Sequence, residues 1–441
     1  MELSLLRCIP FGGMLLSIAI FPTVSPKVWA KMEPFAVAFW IILLVIPNVI
    51  KYGAALTATR IGEIMITDYI PFIILLFGLY CVTGNIAMES DLGGTPKENL
   101  LLLLIGALLS SWIGTTGASM VLIRPVLKTN NWRKRKIHTI VFFIFLVSNI
   151  GGILTPVGDP PLLMGFMRDI PFFWSLNMLP MLLLNVGLLL AMYYFIEKKS
   201  FAKDVREGLH SETLGTVSVK IKGYHNVVFL AMIIASVIIS GVLAEDSFFS
   251  QGIALMGGVE ITYSSLLEIF IILIATILSM KTTRREIRIA NDFSWSPIIE
   301  VAILFIGIFI TMIPALEMLE TNSAGFTNCK PAQMFWLTGI MSSFLDNTPT
   351  YLVFLTSAGT MGATSGITTS VGIISEKMLV AISAGAVFMG ANTYIGNAPN
   401  FMVKTVAEES GIKMPSFLGY MGWAMVCLIP VFIIDCIIFL F

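Results

Sequence analysis

Charge is what this chain has least of. Charged residues fill 12% of its 441 positions and hydrophobic residues 56%, with a mean hydropathy of +0.89. That balance excludes a water-soluble globular domain and leaves a polytopic membrane protein. The formal net charge is +0 and the basic residues gather in loops, so no electrostatic footprint for a nucleic acid is present. Histidine is scarce, with three in the chain. No H-E-x-x-H or other metal motif and no nucleophile–base pair can be read, so neither an enzyme nor a bound cofactor is expected. The five cysteines, Cys8, Cys81, Cys329, Cys427 and Cys436, are odd in number and lack C-x-x-C spacing. They read as apolar packing residues, not as a disulfide framework or a zinc site. Arg7 and the apolar run from Ile9 to Val24 imitate a secretory signal, but the many spans that follow make a retained first helix the expectation.

What the chain has in abundance is long apolar runs. Stretches of about 17 to 25 such residues cross a hydrocarbon core, and about ten are expected, near 8–24, 34–50, 70–89, 137–166, 174–196, 225–243, 260–280, 294–319, 377–405 and 416–440. Two further apolar segments, 98–127 and 332–357, are interrupted in their middles by polar residues and read as re-entrant hairpins. The fold class is therefore all-α.

The interruptions repeat. Ser110-Ser111-Trp112-Ile113-Gly114-Thr115-Thr116-Gly117 aligns with Ser342-Ser343-Phe344-Leu345-Asp346-Asn347-Thr348-Pro349. Some 40 residues after each comes a second irregular segment, Thr155 to Pro161 in the first half and Thr393 to Pro399 in the second. Broken helices survive at membrane depth only where protein or a water-filled cavity satisfies the freed backbone. Paired breaks at matching places in two halves point to the substrate site of a secondary transporter.

The basic loops set the expected topology. Lys128, Arg133, Lys134, Arg135 and Lys136 crowd one loop, and Lys198 to Lys222 and Lys281 to Arg288 are also basic. All three fall on the cytoplasmic side if 98–127 is a hairpin. The other side receives Glu245-Asp246, Thr321 to Lys330, and the Gly/Ser/Thr-rich loop from Ser357 to Ser370. With that parity the first hairpin opens to the cytoplasm and the second outward, so the repeats are inverted. Residues 1–69 then hold scaffold helices available for a homodimer contact, 70–196 the first repeat, 197–293 a connecting loop and scaffold helices, and 294–441 the second repeat. A multi-pass protein of the plasma (inner) membrane is expected.

Two carboxylates sit inside the breaks. Asp346 faces Gly114 in the repeat alignment, and Asp159 faces Asn397. An Asp at the bilayer centre costs about 2.5 to 3.5 kcal/mol on insertion scales, so an unpaired one needs a cation, a proton or water. Asp346 and Asp159 are accordingly the candidate sites for Na⁺ and protons, with Asn347, Thr348 and Asn397 beside them. Thr115, Thr116, Ser119, Asn149, Thr155, Thr393 and Asn400 offer further hydroxyl and amide oxygens. Gly151, Gly152, Gly158, Gly390 and Gly396 let the backbone unwind, while Pro156, Pro160, Pro161, Pro349 and Pro399 remove helical donors. Unwound carbonyls suit a cation and half-helix N-termini an anion, so either sign of charge fits. For Asp159 the plainer alternative is a helix N-cap. Glu300, about two turns into its span, reads as a proton relay or as a carboxylate that snorkels to the interface. Asp435 reads as interfacial, Pro180 and Pro430 as kinks, and His138 and His225 as surface residues beside basic loops.

Three runs carry a family resemblance: SNIGGILTPVGDPP from Ser148 to Pro161, SFLDNTPT from Ser343 to Thr350, and NTYIGNAPN from Asn392 to Asn400. They resemble signature segments of the ion transporter superfamily, which holds NhaD-type sodium/proton antiporters, arsenite permeases, citrate permeases and divalent-anion/sodium symporters. The Leu-Asp-Asn-Thr stretch is similar to the antiporter and arsenite-permease branch, and that resemblance implies cation handling for Asp346 and Asn347. Neither hairpin tip reproduces the Ser-Asn-Thr motif of the divalent-anion branch, and the first tip lacks the acidic residue of the antiporter pattern. One reading is a sodium/proton antiporter in which Asp346 and Asp159 bind Na⁺ and H⁺ in competition. The alternative is a Na⁺- or H⁺-coupled transporter of citrate or a similar small carboxylate, with an arsenite-type oxyanion permease as a third. In each the partners are the transported ions or carboxylate and the lipid bilayer, with no nucleic acid.

Overall fold

The computed structural model describes residues 5–90, 92–209, 219–244, 246–255, 259–291, 293–321 and 329–441. Helices account for nearly all regular structure. The chain opens with α1 (Ile9–Val24) and α2 (Pro26–Tyr52), then Gly53 breaks the path with φ 88°, and α3 (Ala54–Ile64) runs through the wide turn Met65–Tyr69 into α4 (Ile70–Gly84). Residues 54–84 thus form one rod, whereas the sequence places only 70–89 in a span. That span ends at Gly84, because β1 (Ala87–Ser90) pairs antiparallel with β2 (Val219–Lys222).

The first hairpin follows as α5 (Pro96–Ile113) and α6 (Thr115–Thr129), hinged at Gly114, whose φ of 80° and ψ of 148° suit a residue without Cβ. Thr95 caps α5 through Glu98 in a reciprocal box. At the mouth, Asn99 and Asn130 exchange side-chain bonds of 2.8 Å, so the two arms enter and leave by the same end. The first broken helix is α7 (Ile137–Leu146), a tight turn over Ile150–Leu154, and α8 (Pro160–Phe166). Next come α9 (Leu179–Arg206), α10 (Asn226–Leu243), the small ribbon of β3 (Gly252–Ala254) and β4 (Glu260–Thr262), α11 (Tyr263–Thr282), α12 (Arg285–Ala290) and α13 (Ser296–Thr321). The second half repeats the plan. Helices α14 (Pro331–Phe344) and α15 (Asn347–Gly359) form the hairpin, and β5 (Ile367–Thr369) with β6 (Gly372–Ile374) forms the ribbon after it. The second broken helix is α16 (Glu376–Met389), a turn over Gly390–Asn392, and α17 (Ala398–Glu409), followed by α18 (Phe417–Asp435). Among the described residues, nine helical stretches are long and apolar enough to cross a membrane.

Several expectations are corrected. Lys198 to Arg206 is helix and not loop: α9 continues through it, which brings Glu197 and Asp204, seven residues apart and so on one helix face, to Arg133. Arg133 is buried, with its guanidinium 2.6 Å from Glu197 and 2.8 Å from Asp204. Burial works to lower its pKa, but the bonds and charges of those two carboxylates outweigh this and raise it. The residue therefore ties the first hairpin's mouth to α9 and is not a free cytoplasmic charge. His138 is buried against Glu197 at 2.5 Å and is not on the surface. Pro180 lies in the first turn of α9, where its missing N–H costs nothing, so it starts a helix and makes no kink. Glu245, residues 322–328 of the predicted outer segment, and 210–218 of the long hydrophilic loop lie outside the described residues.

Candidate functional site

The two hairpins are held against the two broken helices by the same bonds. Ser111 Oγ donates to the Gly151 carbonyl at 2.5 Å, and Ser343 Oγ to the Met389 carbonyl at 3.0 Å. Thr155 Oγ1 donates to the Ser111 carbonyl, as Thr393 Oγ1 does to that of Ser343. Ser110 and Ser342 reach the carbonyls of Val147 and Ala386, both at 2.6 Å. Gly158 and Gly396 let each broken strand fold back on itself: a Cβ at either would collide with the carbonyl oxygen of Gly152 or Gly390. Unwinding frees backbone acceptors at membrane depth, and the hydroxyls supply the donors that lipid lacks.

This scaffold brings all four breaks to one carboxylate. Asp159, 1% exposed, precedes α8 but does not cap it with its side chain. Its Oδ1 accepts from Thr115 Oγ1 at 2.9 Å and Asn397 Nδ2 at 3.2 Å, and its Oδ2 accepts from Asn347 Nδ2 at 2.6 Å. The donors come from the tip of the first hairpin, the second broken helix and the tip of the second hairpin. Asn149 and Asn400 brace the centre, joined at 2.7 Å, and Asn397 also donates to the Ser148 carbonyl at 3.1 Å and to Asn149 Oδ1 at 3.3 Å. Asn400 fixes the unwound carbonyls of Gly390 and Thr393 at 2.8 and 2.9 Å. Ser119 and Ser148 share a 2.8 Å hydroxyl pair.

The helices α6, α15 and α17 all begin at this cluster, with Thr115, Asn347 and Ala398 as their first residues. Their N-terminal N–H groups and positive dipole ends favour negative charge there. Asp159 is such a charge. Among the described residues no Lys, Arg or His donates to it; its bonded partners are one hydroxyl and two neutral amides.

The two candidate acids differ in setting. Asp346 is only partly buried and caps α15, accepting from Thr348 N at 3.0 Å. The plain capping role considered for Asp159 belongs to Asp346. Thr348 Oγ1 leans on Asn347 Oδ1 at 3.4 Å, and Thr116 stays half-buried on the first turn of α6 outside these bonds. Glu300 is exposed on the first turns of α13 and is not part of the cluster. Sequence reasoning passed over Ser111, Ser343 and Ser148. The matched Ser-Ser pairs opening both motifs were the signal for the first two.

Compared with known proteins, the chain matches over residues 1–440 the profile of a family described as "Putative citrate transport". The chain belongs to that family. Through it the chain is a member of the ion transporter superfamily. No curated protein matches it. Transport is accordingly the function class of this family member, a multi-pass integral membrane protein, and a small carboxylate is the substrate class the family implies.

Proposed function

We propose that this protein carries a citrate-like carboxylate coupled to Na⁺ or H⁺, with Asp159 as the coupling residue and no catalytic step. What supports this reading is the convergence of three half-helix N-termini on a carboxylate that has no cationic partner among the described residues. While ionised, Asp159 occupies Thr115, Asn347 and Asn397 and repels a second anion. Two unit charges ~4 Å apart at an effective dielectric of ~20 interact by about 4 kcal/mol, which is about a thousandfold in affinity. A proton on Asp159, or Na⁺ held between it and the Oδ1 atoms of Asn347 and Asn397 after their amides turn, removes that repulsion and releases the donors. The substrate carboxylate then binds at the helix N-termini. Substrate without cation is excluded electrostatically, and that is coupling.

The Na⁺/H⁺ antiport reading keeps one specific support: a carboxylate held only by neutral donors suits competition between Na⁺ and H⁺ with no organic anion. Labelled citrate uptake and internal pH, measured in the same proteoliposomes under an imposed Na⁺ gradient, separate the two. Citrate uptake that needs Na⁺ or H⁺ fits the proposal. Proton flux driven by Na⁺ alone, with no citrate uptake, selects antiport.

A further inference from the structure

Helices α9 and α18 are the last of each half, and they pack together through a polar pair 250 residues apart in sequence. Asp435, expected at the interface, is 0% exposed, and so is Asn185. Asn185 Nδ2 donates to Asp435 Oδ2 at 2.7 Å and to its own helix at the Met181 carbonyl at 2.8 Å. The other oxygen of each side chain, Asp435 Oδ1 and Asn185 Oδ1, is buried without a hydrogen-bond partner. Two orphaned acceptors buried among apolar side chains are costly. A single hydrogen between them would satisfy both.

We propose that Asp435 is a proton-binding site, separate from the central cluster, in which the neutral acid donates from Oδ1 to Asn185 Oδ1. Carboxylic acid and primary amide are complementary: each offers one donor and one acceptor, so the proton completes a two-bond ring between α9 and α18. A metal ion of the hard type needs a shell of several oxygens. Here the residues one turn away include Leu182, Leu189, Val431 and Phe432, all buried and apolar.

Among the described residues of α9, α18 and the elements packed on α18, no countercharge stands beside the pair to compete for the proton. On α9 the next charged residue is Glu197, twelve positions on and roughly 18 Å along the axis; α18, the turn Cys436–Leu440 after it, α14 and the turn Gly390–Asn392 carry none. On α16 only Glu376 and Lys377 are charged, and Lys377 is bonded to the Phe441 carbonyl at 3.0 Å. Lys198, Lys199, Lys203, Asp204 and Arg206 lie farther still along α9, and the remaining titratable groups on these elements are Tyr193, Tyr194, Tyr420, Cys427 and Cys436. The ring is complete at low pH and opens as pH rises through the titration of Asp435.

Infrared difference spectroscopy on the full-length protein in liposomes tests this. At neutral pH the wild type should show a carboxylic-acid carbonyl band that is absent from Asp435→Asn and bleaches as pH is raised. The Asp435→Asn amide can still exchange two bonds with Asn185, so this variant should unfold at the wild-type temperature at neutral pH and lose the wild type's fall in stability at alkaline pH. A spectrum unchanged by Asp435→Asn, or an unchanged alkaline profile, overturns the proposal. Should that variant fail to fold, Asn185→Ala decides: the acid band must move to the higher frequency of a carbonyl that accepts no hydrogen bond, and an unmoved band overturns it.

Discussion

Asn347, at the tip of the second hairpin, donates its amide to Asp159 in the first broken helix across 2.6 Å, although the two lie 188 positions apart in sequence. This bond joins the two halves of the protein at the carboxylate on which the proposed coupling depends. A hydrogen bond to a charged group is worth about 1.5 to 3 kcal/mol and this one holds Asp159 in its ionised form, so Asn347→Ala should strengthen the apparent affinity for a coupling proton by roughly 10- to 100-fold. Cation dependence of uptake at saturating substrate measures it, and an unchanged half-saturation value would count against the contact.

The two acids should separate by substitution. Asp159→Asn keeps the shape but removes the charge, and cation-driven accumulation of substrate should be lost while membrane insertion is retained. Asp346→Asn keeps a good helix cap and should leave measurable uptake, whereas Asp346→Ala should cost about 1 kcal/mol of stability. Complete loss in Asp346→Asn with wild-type uptake in Asp159→Asn would reverse the assignment.

Arg133 is a structural cation. Removing one partner from a buried ion pair costs about 3 to 5 kcal/mol because the other charge is left behind, and Arg133→Met leaves buried Glu197 with only His138 and buried Asp204 with only Arg135 as ion-pair partner. Denaturant unfolding in detergent should show a loss of that order. A loss under about 1 kcal/mol, the range of an exposed ion pair, would contradict the buried cluster.

Much of this was legible in the sequence, for identifiable reasons. Hairpins predicted at 98–127 and 332–357 and breaks predicted at 137–166 and 377–405 match the structure to within a few residues, because Gly, Pro and Asx at membrane depth leave few alternatives. Asp159, Asn347 and Asn397 were readable as polar residues where polarity is expensive. That they meet was not readable, because pattern along one chain carries no distances. Asp435 was misplaced and the burial of Arg133 went unread for the same reason: their partners, Asn185 and Glu197 with Asp204, sit on helices far away in sequence, and a lone charge near a span end reads as interfacial until its partner is known.

Inverted topology gives a labelling prediction. With accessible cysteines removed, a cysteine at Arg285 should react from the cytoplasmic side and one at Ser365 from the outside; both positions are exposed. Labelling of both from the same side would contradict the inversion.

The coupling role of Asp159 is tested most directly by equilibrium binding of citrate to the purified protein, titrated at fixed pH over a range of Na⁺ and then at fixed Na⁺ over a range of pH, with citrate's own ionisation taken into account. Affinity in the wild type should tighten with added Na⁺ or with falling pH, by up to about a thousandfold, and Asp159→Asn should bind citrate with no such dependence. Citrate affinity indifferent to both ions in the wild type, or an undiminished dependence in Asp159→Asn, would contradict the account.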